Sequence, residues 1–334
     1  MRAFKLLVVA VIVATLLPAL GAWWLQNPLD MPPSVSVETP LEVNVPPGAS
    51  ARAVAQAVSQ AGVRTSSVLL YAWFRLSGQS RAIKAGTYEF TPDTTPRSLL
   101  DKLVRGEQAL RSLTLVEGWN IRELLQAVRS SPDLTQDLDG LSPEEVMVRI
   151  GYPERHPEGR FFPDTYRMVK HTPASTVLRQ AAQAMDERLA QAWAERTPDT
   201  PLQSADEALI LASIIEKETG IERDRPMVGA VFNNRLRIGM RLQTDPGVIY
   251  GLGERFDGNL RRADLLADTP YNSYTRAGLP PTPIAMPGWN SLRAAVQPAA
   301  SRALYFVARG DGTSQFSATL DEHNAAVRRF QLKR

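Results

Sequence analysis

The sequence predicts an α+β protein: a small mixed module, then a larger mixed domain, both behind one uncharged N-terminal helix. Three observations carry this. From Leu6 to Leu25 there are twenty consecutive residues without a charge. Two short stretches of strand character, Leu41 to Val45 and Gly86 to Phe90, enclose residues spaced for helices. From Pro173 onward, apolar residues recur at helical spacing between loops rich in Pro, Gly and amide side chains.

The uncharged run comes first. At a rise of 1.5 Å per residue, twenty residues cross roughly 30 Å of hydrocarbon. Arg2 and Lys5 precede it and Trp23 and Trp24 close it, which predicts a cytoplasmic tip (1–5), a transmembrane helix (6–25) and an exported remainder. The alternative is a cleaved signal peptide ending near Ala19 to Ala22. Residues 26–40 contain Pro28, Pro32, Pro33 and Pro40 and read as a stiff linker.

A small module is expected over 41–108. After the strand at Leu41, Ser50 opens a helix through Val54 and Val58 that stops at Gly62, and a second helix spans Ser67 to Leu76. The strand Gly86 to Phe90 follows. Thr95-Pro96 then starts a helix that Gly106 ends. The larger region, 109–334, begins with a strand at Leu113 to Val116 and a helix from Ile121 to Val128, with a helical insert over about 120–200. Its long helix carries Val177, Ala181, Ala184, Met185 and Leu189. Near the end, Ala303 to Ala308 and Gln315 to Ser317 form a hairpin about Gly310-Asp311-Gly312, and Leu320 to Phe330 closes as a helix.

Composition narrows the chemistry. A chain of 334 residues, 44% hydrophobic, can build more than one core. It has no Cys and only three His, at 156, 171 and 323, so thiolate chemistry, disulfide scaffolds and the common zinc motifs are excluded. No nucleophile elbow, P-loop or dinucleotide fingerprint is present. The chain is therefore expected to need no metal and no cofactor. A net charge of +3 suits an anionic polymer and is too small to argue for nucleic acid.

One helix carries candidate chemistry. Ser204 with Glu207 reads as a capping box, Gly220 as the stop, and Ile210, Leu211, Ile214 and Ile215 as the apolar arc. Glu218 falls on that arc, while Glu216 and Lys217 fall off it and are expected to face outward. An inward carboxyl at the negative end of a helix favours its protonated form, so Glu218 is the candidate general acid. The rival reading pairs it with Arg223, Arg225 or Arg235.

Asp224 and Pro226 open the next helix, which Gly239 ends. Asn233, Asn234 and Arg235 are expected on or beside its polar face. With Gln243, Thr244, Asp245, Tyr271, Asn272 and Tyr274 they supply the amide, hydroxyl and phenol groups of a saccharide cleft. Ser213 and Glu216 are supporting candidates, and the Pro-rich stretch from Gly278 to Gly288 is a candidate brace for that wall.

Several of these segments together resemble the MltG/YceG-like endolytic murein transglycosylase family. They are Ala212-Ser213-Ile214-Ile215-Glu216-Lys217-Glu218-Thr219, Phe232-Asn233-Asn234-Arg235-Leu236, Gly239 through Pro246, and Tyr271-Asn272-Ser273-Tyr274. Lys84-Ala85-Gly86-Thr87-Tyr88, Leu115-Val116-Glu117-Gly118 and Phe161-Phe162-Pro163-Asp164-Thr165-Tyr166 extend the match in order. The resemblance implies a bitopic inner-membrane protein with a LysM-like module before the catalytic region, and a catalytic glutamate at Glu218. It implies non-hydrolytic cleavage between N-acetylmuramic acid and N-acetylglucosamine in nascent peptidoglycan strands, leaving a 1,6-anhydro end. The Glu218 carboxylate, alone or with the sugar's N-acetyl group, would help the C6 hydroxyl attack C1. Peptidoglycan synthases are the implied partners. A water-using muramidase and a non-enzymatic peptidoglycan-binding scaffold are the competing readings.

Overall fold

The computed structural model describes residues 15, 16 and 18–332. Much of the predicted span, residues 6–14 and 17, lies outside the described residues. Residues 18–26 are helical, and among the described residues no helix is long and apolar enough to cross a membrane.

The chain divides into two compact units, one ending at Arg111 and one beginning at Ser112. In the first, strands Leu41–Val45 and Gly86–Phe90 pair antiparallel, with Leu41 opposite Phe90 and Val45 opposite Gly86. Between them run α1 (Ala51–Gln60) and α2 (Ser67–Leu76), and α3 (Pro96–Arg105) follows. Local chemistry sets these bounds. Ser50 Oγ accepts the Ala53 N–H at the start of α1. Thr95 and Ser98 form a reciprocal capping box behind Pro96, and Gly106 ends α3 at φ 75°. Val43, Val45, Val58, Leu70, Phe74, Tyr88, Phe90 and Leu99 make the core.

The second unit is mostly helical: α4 (Ile121–Arg129), α5 (Pro143–Ile150), α6 (Ala174–Ala194), α7 (Ala205–Glu218), α8 (Arg225–Arg237), α9 (Asp245–Leu252), α10 (Arg262–Leu266), α11 (Trp289–Val296) and α12 (Leu320–Phe330). Its sheets are small. Leu134–Thr135 pairs parallel with Thr172–Pro173, and Tyr305–Ala308 pairs antiparallel with Ser314–Ser317. The strand expected at Leu113 to Val116 runs instead over Leu110–Thr114. Leu115 still donates its N–H to the Asp164 carbonyl, at 2.9 Å.

One core joins α4, α5 and the first half of α6 through Leu124, Val128, Val146, Met147, Val177, Leu178 and Ala181. The other joins the second half of α6 to α7, α8 and α11 through Met185, Leu211, Ile214, Ile215, Val228, Phe232 and Leu292. The sequence reading did not anticipate α11. A Cβ on Gly229 of α8 would stand 2.2 Å from the Ala294 carbonyl oxygen of α11, so these helices cross with backbone nearly touching.

A polar staple is buried in this unit. Glu158 is fully buried beneath the N-terminus of α4, and its two carboxylate oxygens accept the Ile121 N–H at 3.1 and 3.2 Å. It also accepts the Tyr250 hydroxyl of α9 at 3.0 Å. Burial dominates over these bonds and pushes its carboxyl up to about 7.

Candidate active site

Helix α7 is packed on much of its circumference. Ala208, Leu209, Leu211, Ala212, Ser213, Ile214 and Ile215 are all buried, more than a one-sided apolar arc allows. Ser204 accepts the Glu207 N–H, but Glu207 turns back to the Gln203 N–H, so only half of the expected capping box forms. The end also differs from expectation. Gly220 is not in the left-handed region; Thr219, extended at φ −146°, stops the helix.

The last turn of α7 holds Glu216, Lys217 and Glu218. Glu216 was expected outward and is instead buried, its side chain 5% exposed beside an Arg225 side chain at 10%. It accepts from the Arg225 guanidinium at 2.8 Å and from the Gly288 N–H at 2.9 Å. The reason is the small-residue packing of α7, which lets the 284–288 segment close over a side that a four-residue arc leaves open. Glu117 also approaches Arg225, at 3.8 Å. Burial, with the Glu216 charge next, raises the Glu117 carboxyl. Lys217 is exposed and donates to the Gly118 carbonyl at 3.1 Å.

Glu218 faces elsewhere. It is half-buried in the wall of a cleft of about 750 Å³, lined also by Arg235, Gln243, Asp245, Tyr274, Tyr305 and His323. Burial pushes its carboxyl up to about 6, aided by the negative charge of Asp245; Thr244 and Arg235 pull the other way. The Thr244 hydroxyl lies close enough to favour the ionised form, yet outside hydrogen-bond geometry. It is buried and unpartnered among the described residues.

The rest of this wall is held from behind. Arg235, 7% exposed, donates through Nε to the Leu304 carbonyl at 2.7 Å and through Nη1 to the Leu242 carbonyl at 2.6 Å. Gln243 sits at φ +49°, an uncommon conformation for a residue with a side chain. It is kept there by its own N–H to the Ser273 carbonyl and by the Thr244 N–H to Ser273 Oγ at 2.9 Å. Asp245 opens α9, which packs on α7, and accepts the Tyr274 hydroxyl at 2.6 Å.

Other predicted site residues stand away from this cleft. Asn233, 1% exposed, bridges the Gly229 and Ala295 carbonyls, because α11 covers the face expected to be polar. Asn272 is fully buried and closes α10 by donating to the Asp264, Leu265 and Ala267 carbonyls. Tyr271 pairs its hydroxyl with Thr282 at 2.8 Å and packs edge-on to Tyr250. Ser213 Oγ donates to the Ile210 carbonyl and accepts the Ile284 N–H. Through that bond, and through Thr282 to Tyr271, the Pro-rich stretch braces both α7 and the loop that carries Tyr271.

Tyr305, His323 and Asn324 do not figure among the sequence expectations, yet they line the cleft. The C-terminal hairpin and α12 supply them. Tyr305 and His323 stack at 5.2 Å between ring centroids, and burial, with Arg235 nearby, lowers the His323 pKa. The aromatic and apolar run Tyr305-Phe306-Val307 is the sequence signal for this wall. A second depression of about 480 Å³ involves Arg122, Glu123, Lys217, Tyr250 and Glu254 but not Glu218. Its carboxylates are engaged, Glu123 by the Asn120 N–H and Glu254 by Arg122. Among the described residues no group of three or more His, Asp or Glu is placed to hold a metal ion.

Comparison with known proteins agrees in extent with the motifs. The sequence model of the YceG-like family matches residues 43–329. An endolytic murein transglycosylase of Bacillus subtilis (strain 168) is 29% identical over 327 residues, covering 93% of this chain and 90% of its own. One from Streptococcus pneumoniae serotype 2 is 26% identical over 351 residues, but the match spans only 62% of that longer protein. The crystal structure of a yceG-like protein from Listeria monocytogenes superposes with a TM-score of 0.51 at 29% identity. It covers 85% of this chain and 98% of that one.

Proposed function

This chain belongs to the YceG-like family, and from that premise we propose that it is an endolytic peptidoglycan lytic transglycosylase with Glu218 as its general acid and then base. The observation that carries the reading is the Glu218 carboxyl, held toward its protonated form in a cleft lined by amide, hydroxyl and aromatic groups. Murein transglycosylase relatives that match over 93% of the chain support the substrate class.

The reaction joins that carboxyl to the bond between N-acetylmuramic acid and N-acetylglucosamine. Glu218 gives its proton to the glycosidic oxygen as the C1–O bond breaks, and the leaving sugar departs as an alcohol. The C6 hydroxyl then attacks C1 and returns a proton to the Glu218 carboxylate, leaving a 1,6-anhydro end. With an internal nucleophile no carboxylate is needed to activate water, unlike the usual two-carboxylate hydrolases. Arg235 bears on the same carboxyl through its charge.

In this reading the uncharged run from Leu6 to Leu25 tethers the protein at the outer face of the inner membrane, beside new strands and the synthases that make them. The first unit, with its strand–helix–helix–strand order, is assigned a LysM-like character.

The test is digestion of uncrosslinked glycan strands with mass spectrometry of the products. Anhydro-ended fragments, lighter by one water than hydrolysis products, are expected from the wild type. Glu218→Gln should lose at least about a hundredfold in rate with an unchanged circular dichroism spectrum. Reducing-end products, or full activity in the variant, would refute the assignment; strand binding with no cleavage would favour a scaffold.

A further inference from the structure

The cleft contains a second carboxylate that the single-acid scheme leaves without a task. We propose that Asp245 is the electrostatic partner of the reaction, the fixed negative charge that stabilises C1 while the glycosidic bond breaks, and that Tyr274 is its positioning residue. This rests on the transglycosylase reading of the site.

The geometry separates the two acids. Glu218 is the last residue of α7 and so lies at the negative pole of its helix. Asp245 is in the first turn of α9, at a positive pole, where an anion is stabilised. The Tyr274 hydroxyl donates to Asp245 Oδ1 at 2.6 Å, which fixes the carboxylate at the wall of the cleft. Both acids line the one cleft, and α9 packs directly on α7.

The segment that carries Asp245 is held by three hydrogen bonds. Arg235 holds the Leu242 carbonyl, and Ser273 binds the backbone of Gln243 and Thr244. Gln243 is kept in a left-handed conformation two residues before Asp245, and strain of this kind persists only where the surroundings over-determine it. The charged and titratable groups facing the pair are Arg235, Tyr274, Tyr305 and His323. Of these Arg235 is the one cation, committed on its far side to two carbonyls, and His323 is disfavoured as a cation.

Two carboxyls whose surroundings differ in this way take opposite tasks. Glu218 gives up its proton to the leaving oxygen. The C1–O electron pair leaves with that oxygen, and the positive charge gathering on C1 is met by Asp245. The C6 oxygen then donates a pair to C1, its proton passes to Glu218, and Asp245 ends as it began. No water and no further reactant enters.

Asp245→Asn keeps size and hydrogen bonding and removes the charge, so it isolates the proposal. Expected on glycan strands is a kcat lower by about a hundredfold or more, with KM within a few-fold. Loss of the Asp245 charge should also move the descending limb of the rate against pH to lower pH, because that charge helps keep Glu218 protonated. Tyr274→Phe, which leaves the carboxylate in place but loosely held, should lower kcat by less and shift the limb in the same direction.

A merely structural Asp245 would lower the melting temperature and cut kcat only as far as folded enzyme is lost. That result, or an Asp245→Asn enzyme within about threefold of wild type, overturns the proposal. Wild-type protein that leaves strands uncut overturns the transglycosylase reading and takes this proposal with it, so the two failures are told apart by the wild-type control.

Discussion

Replacing Glu158 by Gln should change how stability depends on pH more than stability itself. The buried carboxyl is raised from 4.5 to about 7, so between those values the folded chain binds a proton that the unfolded chain has released. Stability therefore falls as pH rises through that window, since the unfolded state there binds fewer protons than the native one. At about 1.4 kcal/mol per pH unit, the span amounts to roughly 3 kcal/mol between pH 4.5 and neutrality. Gln carries no charge and removes this dependence. It retains an oxygen for the Ile121 N–H or the Tyr250 hydroxyl, so any lost hydrogen bond enters as an offset independent of pH. Urea unfolding followed by circular dichroism near pH 5 and near pH 8, on both proteins, reads the difference of differences. Parallel stability curves for wild type and variant would show that Glu158 is not protonated in the fold and refute the argument.

The rate of strand cleavage should decline above about pH 6, the value to which Glu218 is raised, falling tenfold per unit as the general acid ionises. A flat profile to pH 8 would remove Glu218 from that role. Arg225→Met leaves Glu216 buried without its guanidinium, and breaking such a pair should cost about 3–5 kcal/mol. Denaturant titration that shows less than about 1 kcal/mol would mean that water replaces the arginine.

The helices were legible where their ends carry local chemistry. Ser50, Thr95-Pro96 and Gly106 announce α1 and α3, and Thr319 with Glu322 caps α12 by side chain alone. Helix α11 was not legible: its N-cap is Gly288, with no side-chain cap, and it is eight residues long. Its place is set by packing into α7 and α8, which no local pattern reports. The same packing explains Asn233 and Glu216. Both read as exposed from their own helices, and each is buried by a segment far along the chain, 62 residues on for Asn233 and 72 for Glu216.

The spacing of Glu218 and the residue types of Gln243, Asp245 and Tyr274 point to side chains that line one cleft. Asn272 and Tyr271 have the same residue types and serve instead to shape loops. Type cannot separate the two uses; the direction of the side chain does. The wall of Tyr305 and His323 is not legible locally, because these residues meet the cleft only when the hairpin and α12 pack back onto the unit.

That last wall also sets an order of assembly. A ribosome delivers the chain N-terminus first, so Glu218 and α9 are made well before Tyr305 and His323. Until the hairpin and α12 have been synthesised and docked, the cleft lacks the wall that carries Tyr305 and His323. On the proposed function, the hairpin and α12 thus complete the cleft around Glu218, and a chain cut before Tyr305 keeps the glutamate without that wall.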